Sequence, residues 1–197
     1  MAGIFAVLFC SIMALPVPFE AVHLLFINLL TDSLPAIAIG MEPADPTLLE
    51  EKPRDPSESI LNRTFFGRIF LQGILIALVV MAAYYMGSPM QTPGVAMTYA
   101  FATLTLARLF HGFNCRTRQS ILRVGFASNP YSIGAFAAGV LLLGLVLTIP
   151  PLQELFSISG ITGWVLLKIT GLAILPTVCI QMIKMVREWK DSRENRK

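Results

Sequence analysis

Four long apolar runs, each carrying at most one formal charge, leave this chain few ways to fold. Residues 21–41 contain only Asp32 as a formal charge, residues 69–86 and 133–152 contain none, and residues 161–183 contain only Lys168. Each run is long enough to cross a hydrocarbon layer of about 30 Å as a helix. Residues 94–107 are also uncharged but short, so a helix there must continue through Arg108 to about Phe113 to reach the far interface. The opening run, 3–15, is too short to span and reads as the back half of a helix. A signal peptide does not fit it, since there is no basic n-region and Pro16 and Pro18 follow without a small-residue cleavage pattern. Charged residues make up 14% of the 197 and hydrophobic ones 55%, where a soluble domain carries about a quarter charged. The expected fold is therefore all-α: a polytopic membrane helical bundle with a half span at 1–15 and spans at 19–41, 64–86, 94–113, 130–150 and 161–184.

The connections alternate in charge. Lys52, Arg54, Arg63 and Arg68 lie in or beside the connection at 42–63, Arg116, Arg118 and Arg123 in or beside that at 114–129, and six basic residues from Lys184 to Lys197 at the tail. The connections between these, at 16–20, 87–93 and 150–160, contain no Lys or Arg. The positive-inside rule then puts the basic connections and the tail, 185–197, in the cytoplasm. Trp189 in the tail reads as an interfacial anchor, and Lys168 as a side chain that snorkels outward. Cys10, Cys115 and Cys179 are far apart and form no CxxC pair, so neither a disulfide framework nor a zinc ribbon is indicated.

The carboxylate of Asp32 is the anomaly. An ionised Asp near a bilayer centre costs about 2.5–3.5 kcal/mol on insertion scales, so an ion, a basic partner or a watery cavity has to offset it. Asn28, Thr31 and Asp32 stand at i, i+3 and i+4, one face of a helix, and all three offer oxygen. Hard cations such as calcium take oxygen ligands in sets of six to eight, whereas soft metals want Cys or His. Pro35 removes a backbone hydrogen bond and crowds the Thr31 carbonyl, which loosens the helix beside the carboxylate. Two other readings of the residues stand beside ion binding: an Asp32–Arg108 pair that locks two helices, and a protonated, hydrogen-bonded Asp. His23, near the outer end of its span, reads as an interfacial ring; His111 and Asn114 read as markers of a helix end.

The stretch NLLTDSLPAIAIGMEPAD, 28–45, resembles the sixth transmembrane span of calcium-transporting P-type ATPases, with its N-x-x-T-D followed by L-P-A and G-x-x-P. EEKPRDPSESIL, 50–61, is similar to the connection after that span, and FATLTLARLFHGFNCR, 101–116, to the eighth span of bacterial members. The resemblance covers essentially the whole chain, specifically in 28–58 and by topology after 130. It implies a partial fifth span followed by spans six to ten. It further implies that Asn28, Thr31 and Asp32 are metal ligands and that calcium is the transported ion, with manganese as the other oxygen-loving candidate. ATP and Mg²⁺ would act only in the complete pump. The implied partners are the lipid bilayer, the calcium ion and the remaining pump domains in cis or trans, with no nucleic acid, and the implied location is a bacterial plasma membrane.

Two departures from the family pattern matter. Ser33 stands where the family commonly has Gly, which predicts less unwinding after the aspartate. In the eighth span, Thr105 falls where two-calcium pumps have a ligand glutamate, and Arg108 follows one turn later. A hydroxyl does not replace a carboxylate's charge, and a guanidinium repels a second dication while offering Asp32 a counter-charge. One calcium per cycle is the expectation, with Arg108 in place of the second ion; the competing reading points Arg108 at the headgroups. The phosphorylation motif D-K-T-G-T and the T-G-E loop are missing from these residues, as are the family's earlier acidic ligands. The chain is thus expected to be the C-terminal membrane portion of a pump, unable to hydrolyse ATP by that mechanism. The alternative is a stand-alone membrane scaffold or regulator that packs against full-length pumps.

Overall fold

The computed structural model describes residues 1–43, 63–117 and 119–194. The expected connection at 42–63, with its Lys52 and Arg54, falls almost wholly outside the described residues, as do Arg118 and the end of the tail. Helix α1 covers Ala2–Ile12; α2, Ala21–Phe26, runs through a π turn at Ile27–Thr31 into α3, Ser33–Gly40; α4 is Arg63–Met86 and α5 Pro93–Arg116. The short α6, Ile121–Val124, and a 3₁₀ turn, Phe126–Ser128, lead to α7, Pro130–Thr148, then the short α8, Pro150–Leu155, and the long α9, Gly163–Glu194.

Among the described residues, four segments are long and apolar enough to cross a membrane: 21–40, Phe65–Met86, Pro130–Thr148 and Gly163–Lys190. Helices satisfy their own backbone groups, which lipid cannot do for them. The helix starts follow from local chemistry. Pro93, Pro130 and Pro150 stand at first helical positions, where a missing N–H costs nothing. Asn129 caps α7 by accepting from the Ser132 N–H at 3.1 Å.

Helix α5 is the mast of the bundle and packs against α3, α4, α7 and α9. It has 24 residues, reaching the length its uncharged core alone did not supply, and nearly everything from Ala96 to Leu109 is buried. Small residues let the neighbours close in: a Cβ on Gly139 of α7 would meet Leu109 Cδ2 at 2.4 Å, and one on Gly87 would meet the Ala96 backbone at 2.4 Å. Helix α1 packs along α4, and the α1–α2 turn is fastened by the Tyr84 hydroxyl, which donates to the Pro16 carbonyl.

At the end away from the basic residues, the α7–α9 connection folds over α2 and α5. The Thr98 hydroxyl accepts from the Ser159 N–H at 3.0 Å and the Tyr99 hydroxyl donates to the Gly160 carbonyl at 3.1 Å. Gly160 has φ of 69°, and a Cβ there would lie 2.8 Å from Val95, so both backbone angle and space call for glycine. His23 is fully enclosed at this end, contrary to the interfacial ring its sequence position suggests. Its ring stacks on Phe101 at 4.4 Å, its Nδ1 accepts from the Glu20 N–H at 3.1 Å and its Nε2 meets the Phe156 carbonyl at 2.7 Å. Those partners require the proton on Nε2. Helix α9 does not stop where its apolar run ends: it continues through the basic stretch to Glu194. The exposed Lys168 lies over the Trp164 ring, and Arg193 over the Trp189 ring.

Candidate ion site within the membrane

The break in the 21–40 span is a single widened turn. The Asp32 N–H donates five residues back, to the Ile27 carbonyl at 2.8 Å, and the Thr31 hydroxyl donates to that same carbonyl at 2.9 Å. The Ser33 hydroxyl faces the Asn28 carbonyl at 3.4 Å. Pro35 explains why a break is needed, since its ring crowds the carbonyl four residues back. Ser33 is tolerated because Asp32, with φ −91° and ψ −35°, stays in the right-handed region and no residue of the segment has positive φ. The departure from Gly therefore goes with a π turn rather than with a regular helix.

The Arg108 side chain of α5 reaches across and donates to Asp32 Oδ2. Each side chain is 31% exposed, so the pair is half enclosed. Among the sequence-expected site residues, Asp32 and Arg108 are the two brought together. Asn28 is exposed and Thr31 is buried, so in this conformation the widened turn does not converge the three oxygen-bearing side chains on one point. Thr105 is fully buried and its hydroxyl donates to the Phe101 carbonyl at 2.8 Å, within its own helix. Among the described residues no cluster of three His, Cys, Asp or Glu is arranged to hold a metal. His111 and Asn114 sit near each other at 3.4 Å.

A second polar assembly at the basic end escaped the sequence reading. Arg116, at the end of α5, makes a two-pronged pair with Glu42 at 2.9 and 2.8 Å, just past α3. The fully buried Asn129 donates to Glu42 Oε2 at 2.6 Å and to the Ala38 carbonyl at 2.9 Å. Hydrogen bonds from the Arg116 guanidinium hold the Glu42 carboxyl below the usual carboxylate range. Nearby, Lys184 of α9 donates to the Asn114 and Thr117 carbonyls at 2.8 and 2.7 Å, capping the end of α5 from a neighbouring helix. Opposite charges at the same end of adjacent spans, Glu42 and Arg116, were the available signal.

Fold and site together define an all-α polytopic membrane domain with an ionisable pair at a helix break. More specifically, the chain belongs to the family described as cation transporting ATPase, C-terminus, whose profile matches residues 16–186. It is 38% identical over 191 residues to a calcium-transporting ATPase of Listeria monocytogenes, covering 95% of this chain and 21% of that protein. It is 36% identical to calcium-transporting ATPase 1 of Lactococcus lactis, over 95% of this chain and 21% of the relative. The calcium-transporting ATPase of Bacillus subtilis is 36% identical over 88% of this chain and 20% of its own length. The chain thus spans about a fifth of the length of the curated relatives it matches.

Proposed function

We propose that this chain is the membrane-embedded, ion-pathway portion of an ATP-driven pump that exports calcium, with Asp32 as its central ligand. The observation that carries the reading is the Asp32 carboxylate at a π turn inside an apolar span of a cation-transporting ATPase domain. Widened turns recur at functional sites because they free backbone groups from the regular ladder. Asn28 and Thr31 supply further oxygens once the turn rearranges, and the rest of a six-to-eight-oxygen calcium shell comes from spans outside this chain. ATP and Mg²⁺ act on the other domains, which join in cis or trans at the cytoplasmic, basic end, in a bacterial plasma membrane. Phosphorylation there shifts the population between two states of the pathway. In one, Asp32 holds Arg108; in the other, it holds calcium.

Arg108 supports a stoichiometry of one calcium per cycle. Its fixed positive charge beside Asp32 would repel a second dication, and Thr105 one turn away has no charge to attract one. The test is a chimera in which this chain replaces the matching segment of the Listeria pump, reconstituted in vesicles. ATP-dependent calcium uptake is expected, and Asp32→Asn abolishes it while the protein still inserts. Uptake that survives Asp32→Asn would overturn the assignment of Asp32.

A further inference from the structure

We propose that His23, Glu20 and Ser157 form an acid-sensitive latch at the end of the bundle away from the basic residues. Glu20 stands immediately before α2 and His23 is the third residue of that helix, the spacing of a capping box. The box is closed in both directions: His23 Nδ1 accepts from the Glu20 N–H at 3.1 Å, and the Glu20 carboxylate accepts from the His23 N–H. The same two side chains reach the connection between α8 and α9. His23 Nε2 donates to the Phe156 carbonyl at 2.7 Å, and Glu20 Oε2 accepts from the Ser157 hydroxyl at 3.1 Å. Ser157 has φ of 50°, in the left-handed region that a serine seldom enters. The buried Phe156 ring packs 5.4 Å from Phe26 and 6.0 Å from Phe101. One box thus fastens the start of the span that carries Asp32 to the turn between α8 and α9.

The latch is built for a neutral imidazole. Nδ1 acts as an acceptor, and a proton there would set N–H against the Glu20 N–H. The ring is fully enclosed and lies between Phe101 and Phe156, so solvent does not reach Nδ1 while the connection is closed. Among the described residues of α2, α5 and the α8–α9 connection, Glu20 is the charged group that acts on this ring; Glu154 of α8 is exposed. The Glu20 carboxylate is therefore the available partner for an imidazolium, and turning toward Nδ1 takes it off Ser157. Two contacts persist in either state: Nε2–H still suits the Phe156 carbonyl, and the Phe101 face 4.4 Å away accepts a cation. Acid thus loosens the Glu20 and Ser157 contacts and leaves Phe156 in place. The entry to the span is fastened near neutrality and released as the pH falls through the imidazole range, about pH 8 to 5. This inference depends neither on the calcium reading nor on which way the domain faces.

Hydrogen–deuterium exchange of the purified chain in nanodiscs tests it, with each rate corrected for the intrinsic effect of pH on amide exchange. The stretch 19–24 is expected to exchange severalfold faster at about pH 5.5 than at about pH 7.5. The turn 87–92 at the same end, which holds no His, Asp or Glu, is expected to stay unchanged. His23→Gln is the conservative variant: Gln is a regular third residue of a capping box and accepts from the Glu20 N–H without titrating. It is expected to keep the slow rate at both pH values. Equal corrected rates in the parent chain overturn the proposal, as does acid sensitivity that persists in His23→Gln. Should His23→Gln fail to fold, or exchange fast at both pH values, nitrogen-15 imidazole spectra of the His111→Gln chain decide, because the chain has two histidines. Nδ1 is expected to gain its proton over the same pH interval in which 19–24 loosens, and an imidazole that stays neutral across it overturns the latch.

Discussion

Asp32 and Arg108 each carry a charge that an apolar span disfavours by about 2.5–3.5 kcal/mol on insertion scales. Each removes part of the other's penalty, and losing one partner strands the other. Arg108→Gln and Asp32→Asn are therefore each expected to lower stability in detergent. The double variant is expected to lose less than their sum, with a coupling of about 1–3 kcal/mol, reduced from the fully buried case because the pair is half enclosed. A double-mutant cycle on denaturation midpoints measures it, and additive losses would show that the pair contributes nothing. The two misplaced charges were legible in the sequence, and so was their pairing as one of three readings. What brings the pair together is the rotation of α5 about its axis, which places side by side two residues 76 apart in sequence. No local pattern encodes that rotation. Pro35 announces a break one turn upstream, but neither it nor Ser33 says whether the turn widens or unwinds.

Helix α3 is held at both ends, by the ion pair at its start and by Glu42, Arg116 and Asn129 beyond its finish. At the second end, protonating Glu42 removes one side of a two-pronged pair. The folded state lowers the affinity of this carboxyl for protons, so its contribution is present above the ordinary carboxylate value of 4.5 and is lost as the pH falls below it. The thermal midpoint in detergent should fall more steeply on acidification below about pH 4.5 in the parent chain than in Glu42→Gln, which lacks about 1–3 kcal/mol of charge-assisted bonding at every pH. Parallel acid limbs in the two proteins would rule this out. The start of α7 was legible, because Asn followed by Pro is a helix entry. The knot was not: Glu42 and Asn129 lie 87 residues apart and read singly as loop polar groups.

At the scale of the whole molecule, the apolar runs were enough to expect an all-α membrane bundle, and α5 does run on past Arg108, to Arg116. They did not show which helix lies inside. Helix α5 is the least apolar of the long helices before α9 and falls outside the four that reach membrane-spanning hydropathy. Its Thr98, Thr103, Thr105 and Asn114 are nonetheless all buried, facing other helices rather than lipid. Polarity was affordable there because neighbours surround it. That arrangement bears on biosynthesis. A chain made from its N-terminus delivers α5 to the bilayer before α7 and α9 exist to wrap it, with Arg108 two-thirds of the way along it and α4 already in place beside it. In an insertion assay in a carrier protein, α5 alone should pass through into the far compartment, whereas the α4–α5 hairpin with its tight turn at Gly87 should integrate. Equal integration of the two would mean that α5 needs no help from α4. The helix on which the finished bundle hangs is the one least able to enter the membrane unaccompanied.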